Sequence, residues 1–174
     1  MAVKSKLAST MVLAEKMVAM GARPPIISSS FDAISPGMAR SLWKEIHGTG
    51  SPNGLCPNNS LGRLRNNTMA LHANMFFLCY ARRGSHVLKT ADPAEIMESY
   101  EGYIEAMNRS GFDAALDFQT AWYIARDIRS HILEVKFCRS CRVNYLFEPS
   151  MSSLSQCQLC RISSVSECGL CTAN

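Results

Sequence analysis

Apolar residues recur at steps of three and four along most of this chain, the period of helices that bury one face. The first such run, Leu7, Met11, Leu13, Ala14, Met17, Val18 and Met20, predicts a helix from about Lys4 to Met20. Gly21 stops it and "GARPP" prevents its continuation, with Arg23 held extended or in a turn by the proline that follows. Ile26 to Phe31 reads as one or two helical turns. Ser35 then Pro36 has the form of an N-cap and first helical residue, and Gly48 is placed to close the helix that runs to His47. Met38, Leu42, Trp43 and Ile46 form its expected inner stripe, while Arg40, Lys44 and His47 project outward. A short helix, a tight turn and a helix with a basic outer face make a helix-turn-helix-like unit over residues 24–48.

A Gly/Pro/Asn-rich connection (48–67) follows, the best candidate for a hinge or internal boundary. Beyond it the pattern predicts three more helices: 68–83, strongly apolar; 92–110, with Asp92 as cap and Pro93 at the first position; and a long one over 112–136. Its stripe is Ala115, Phe118, Trp122, Ala125, Ile128 and Ile132. Strand character is confined to "VNYLF" (143–147). The expected fold class is mainly α: a helical domain over 1–137, then a small cysteine-bearing module with its tail over 138–174.

Composition narrows the class. In 174 residues the hydrophobic share of 47% is enough for a buried core. No apolar run reaches the roughly 18 residues that span a bilayer. Two lysines before an apolar stretch imitate a signal peptide, but Glu15 and Lys16 interrupt the stretch and favour an amphipathic first helix. The net charge of +4 is unevenly spread, with 8 Lys/Arg against 3 Asp/Glu in residues 1–65 and 7 against 9 in residues 66–137. That polarity suggests a molecule with one anion-facing end.

Six of the eight cysteines form three CxxC pairs: Cys138/Cys141, Cys157/Cys160 and Cys168/Cys171. Clustered CxxC pairs are poor disulfide scaffolds and good metal sites, which points to a reducing, cytoplasmic compartment. The 15-residue gap between the first two pairs falls in the range of a four-cysteine zinc ribbon or knuckle. One Zn²⁺ per chain on four thiolates has no open position, so it is expected to be structural. An iron–sulfur cluster or a redox pair uses the same residues and stays as an alternative. The third pair is free to replace one of the others, to bind a second ion or to do neither. Cys79 in its apolar helix reads as a buried small residue.

Several segments together resemble a known family. "GARPPIISSSFDAISPGMARSLWKEIHG", "GLCP", "LHANMFF", "TAWYIARDIRSHILEVKFCRSC" and "CQLC" follow one another as in FlhC, the larger-chain partner of FlhD in the flagellar master activator. The resemblance implies a DNA-binding subunit of a hexamer of four FlhD and two FlhC chains that recruits RNA polymerase to flagellar class II promoters. It also implies zinc on the cysteines matching Cys138, Cys141, Cys157 and Cys160. The chain departs from the family where it reads "CPNNSLGRLRNN", a stretch in which members commonly carry aromatic residues.

Arg40 and Lys44 are the first candidates for a DNA groove, and Arg23, Arg63 and Arg65 for phosphates. Arg139, Arg142 and Arg161 flank the zinc cysteines and are further candidates for the DNA backbone. A charged helix face is more often only solvated, so the competing readings are a zinc-knuckle interaction module and a paralogue regulating non-flagellar genes. His72 reads as a packed histidine, and Trp43 and Trp122 as core or interface anchors. No nucleophile–base pairing, phosphate loop or open metal position marks an enzyme. The many Met, Phe and Ile residues point to an obligate partner.

Overall fold

The structure is a computed structural model that describes residues 2–161, with side chains from Leu7 onward. The Cys168/Cys171 pair lies outside the described residues. The chain is mainly helical, and its described residues form two compact units, one of residues 2–58 with 117–119, the other of residues 59–116 with 120–161.

The first unit holds α1 (Ala2–Ala19), α2 (Pro24–Ser30) and α3 (Pro36–His47), which pack on one another. Local chemistry sets their ends. Arg23 is extended at φ −68° and ψ 153°, as a residue before proline must be, and two prolines open α2. The Ser35 hydroxyl accepts from the Met38 N–H at 3.2 Å, and Gly48 closes α3 at φ 71°, where a side chain is disfavoured. Ala14, Met17, Val18, Ile26, Ile27, Ala39, Leu42 and Trp43 are buried between the three helices. The inner stripe expected of α3 is only half right: Ala39 takes an inner position, while Met38 and Ile46 are 41% and 38% exposed. Leu7, expected on the inner face of α1, is exposed as well.

The second unit is built on α4 (Asn67–Ala81) and α5 (Pro93–Arg109), which pack face to face. Asn66 and Asp92 cap them, accepting from Met69 N at 2.7 Å and Ala94 N at 2.8 Å. Phe76, Phe77, Tyr80 and Tyr103 are fully buried. His72 is buried too, and its Nδ1 lies 2.7 Å from the Tyr103 hydroxyl, which accepts from Leu116 N at 3.2 Å. The hydroxyl proton is therefore free to go to His72, whose burial lowers its pKa and keeps the ring neutral.

The helix expected over 112–136 is shorter at both ends. α6 spans Phe118–Arg129, and residues 112–117 lie outside any helix. Its C-terminus is a Schellman motif in which His131 takes the left-handed place (φ 56°): His131 N bonds Ile128 O and Ile132 N bonds Asp127 O. Glycine usually marks such a stop, so none was expected here. The chain then leaves as strand β1 (Glu134–Phe137), antiparallel to β2 (Asn144–Phe147) with Val135 opposite Leu146. β2 falls on the expected strand; β1 was hidden in the helical stretch. α6 is buried on nearly all sides, from Phe118 to Ala125 and at Asp127 and Ile128.

Candidate metal centre and basic helix face

Cys138 and Cys141 sit on the turn after β1, and Cys157 and Cys160 lie beyond the loop that follows β2, at the start of a helical turn. The turn is a knuckle: Cys138 N donates to Val143 O and Arg142 N donates to Cys138 O, each at 2.9 Å. Closing it puts Arg142 at φ 58°, a region that costs a side-chain-bearing residue roughly 1–2 kcal/mol.

The four Sγ atoms lie within 4.8 Å of one another, and the Cys138–Cys160 and Cys141–Cys157 pairs are 3.6 Å apart. A zinc tetrahedron with 2.3 Å bonds has sulfur edges of about 3.8 Å. The cluster has that size, and all four residues are free thiols, not disulfides. The thiols also hinder one another. Backbone N–H groups of Cys141 and Ser140 draw the Cys138 thiol down to about 6. The Cys138 and Cys141 thiols then push Cys160 up to about 12, and burial raises Cys157. Four thiolates at this spacing need a shared cation, and the donor set fits Zn²⁺.

Ties distant in sequence hold the cluster to its own unit. Asn74, in the middle of α4, accepts from Leu146 N at 2.8 Å, and the Ser153 hydroxyl donates to Leu64 O at 2.6 Å. Gln158 turns its amide back onto Ser153 O. Leu146 and Leu154 are fully buried beneath these bonds. Asp127, also fully buried, takes the Ser60 N–H and hydroxyl at 2.5 and 2.8 Å, which fixes residues 60–64 against α6. None of these positioning residues was picked out from the sequence. The one signal was Asn74 itself, an amide in the apolar run "LHANMFF", which needs a partner once buried.

The basic candidates fall in three places. In the first unit, Arg40 and Lys44 are exposed one turn apart on α3, on the side away from Leu42 and Trp43. Arg23 and Arg40 line one depression of about 440 Å³, where Arg23 donates to Pro52 O and Gly54 O at 2.7 Å each and so pins the following loop. His47, also expected to project outward, is exposed, with its ring tilted against that of Trp43 and its Nε2 2.9 Å from Val18 O. In the second unit, Arg63 donates to the Thr120 hydroxyl at 2.7 Å, whereas exposed Arg65 lines a cavity of about 640 Å³ with Asn59, Ser150 and Ser152. Arg139, Arg142 and Arg161 are exposed around the cysteines.

The family model described as "Flagellar transcriptional activator (FlhC)" matches residues 1–170. A flagellar transcriptional regulator FlhC of Nitrosomonas eutropha is 28% identical over 156 residues, covering 87% of this chain and 78% of that one. Those of Pectobacterium carotovorum and Yersinia enterocolitica are each 26% identical over 156 residues, with 86% of this chain and 77% of theirs covered.

Proposed function

The chain belongs to the flagellar transcriptional activator (FlhC) family, and from that premise we propose that it is a zinc-stabilised, DNA-binding activator subunit. It works with FlhD, in a hexamer of four FlhD and two FlhC chains, to recruit RNA polymerase to flagellar class II promoters in the cytoplasm. Its role is binding, not catalysis. The observation that carries the reading is the exposed Arg40–Lys44 face of α3, on a helix capped at both ends and backed by Leu42 and Trp43. A rigid helix with two cations one turn apart suits the major groove or its phosphates. Arg23, Arg65, Arg139, Arg142 and Arg161 are further phosphate candidates, and Arg63 contributes through its hold on Thr120. One Zn²⁺ on Cys138, Cys141, Cys157 and Cys160 ties the turn of the β1–β2 hairpin to the later helical turn and leaves no open coordination position. Among the described residues no helix is long and apolar enough to cross a membrane.

The complex with FlhD should retard flagellar promoter DNA, and its affinity should fall steeply as salt rises. Arg40→Ala with Lys44→Ala should weaken that binding at least tenfold and leave the complex assembled. Absent or salt-insensitive binding by the intact complex refutes the reading. A groove of about 510 Å³ between α1 and α3, lined by Val12, Ala19, Leu42 and Ile46, supports a second reading as a protein-interaction module. Unchanged DNA binding in the double variant favours that one.

A further inference from the structure

Three of the four clustered cysteines are followed at once by an arginine: Cys138-Arg139, Cys141-Arg142 and Cys160-Arg161. We propose that these arginines form a charge collar that compensates the metal tetrathiolate and holds the ion in place. The inference rests on the zinc reading above. Zn²⁺ on four thiolates carries two net negative charges. Cys157 is buried and the other three cysteines are half-buried, so part of that charge lies away from water.

Arginine remains ionised throughout, and successive Cα atoms are about 3.8 Å apart, so each collar side chain starts beside a ligand. All three residues are exposed, and a long arginine side chain can reach along the surface from such a position. The acidic side chains of the same hairpin are engaged elsewhere. Glu134 pairs with Lys136 at 3.7 Å, and Glu148 accepts from Ser150 N and its hydroxyl at 3.0 and 2.7 Å. The fourth ligand, Cys157, is followed by Gln158, whose buried amide serves the fold instead. Arg142 carries a second, independent mark. It occupies a left-handed position that glycine fills without strain. A side chain kept at such a position, on the turn that presents two ligands, is there for what the side chain does. The collar turns a dianion into a site of net single positive charge, which matters on any surface that meets phosphate.

The test is zinc release from the zinc-loaded full chain, at fixed pH, to an uncharged chelator such as TPEN, so that chelator charge has no part. Side chains that act on the ligands, not on the ion itself, typically change metal affinity by about 10–100-fold when replaced. R139Q/R142Q/R161Q should therefore release zinc at least about tenfold faster, while the triple lysine variant stays near the native rate. R142G separates charge from strain: it relaxes the backbone yet should release zinc faster than the native chain. Should the glutamine variant fail to fold, raising NaCl from 50 to 500 mM should accelerate release from the native chain itself by screening the collar. Native-like release from the glutamine variant, slower release from R142G, or salt-independent release overturns the collar. A native chain that binds no zinc overturns the metal reading, a result distinct from either.

Discussion

The α2–α3 segment and the cysteine cluster are stabilised by opposite means. Residues 24–48 are set by neighbours: Ser35 reaches three residues ahead, Gly48 ends α3, and two prolines start α2. The cysteine site depends on distant partners. Asn74 meets Leu146 across 72 positions and Ser153 meets Leu64 across 89. Locally determined structure is robust to changes elsewhere but weak per contact. The cysteine site gains more from each contact and loses more when one fails.

The sharpest break in this contrast is the metal. On the proposed zinc reading, Cys157→Ala should remove the metal, measured by native mass spectrometry. It should also lower stability by an order of several kcal/mol, because the ion's binding free energy is folding free energy. A chain that keeps its zinc and its Tm would show that the four sulfurs are not the ligands. Next is Asn74→Ala, which leaves the buried Leu146 N–H without its acceptor at a cost of about 1–3 kcal/mol. Unfolding followed through Trp122 on α6 reads that loss, and an unchanged midpoint would mean that water replaces the amide. Ser35→Ala removes only a cap and should cost about 1 kcal/mol, read through Trp43 on α3. A loss larger than that of Asn74→Ala would reverse the contrast.

The same division explains what could be read from the sequence. Both ends of α3 and the start of α5 were legible because caps and prolines act over three or four residues, as at Ser35 and Asp92, whereas the Asn66 cap of α4 was not picked out. The clustering of the four cysteines was legible because two CxxC pairs at a narrow spacing are chemically distinct. β1 was not. "ILEVKF" continues an apolar helical period, and only pairing with Asn144–Phe147 makes its end a strand. The stop before it rests on His131 in a left-handed position that no glycine advertises. Nor was the exposure of Met38 and Ile46, since a hydrophobic stripe does not say how many neighbours it meets.

The smallest predicted effect is a pH dependence confined to α4 and α5. His72 is buried against Tyr103, and burial lowers its pKa below the ordinary 6.5. In the unfolded chain the ring protonates as pH falls through about 6.5. In the folded chain it remains neutral to a lower pH, so the unfolded state binds the extra proton first. Stability is therefore unaffected by this group above neutrality. It declines as pH falls from 6.5 toward the folded pKa, then levels off. His72→Gln has no such titration and should flatten that part of the curve, with the readout being denaturant midpoints from pH 7.5 to 5.0. An equal slope in the variant would assign the acid loss to other groups, the cysteine ligands first among them. Protonation strips zinc from thiolates in the same direction. Repeating the series with Cys157→Ala in the background separates the two, since the histidine's share survives the loss of the metal only if α4 and α5 keep their packing without it.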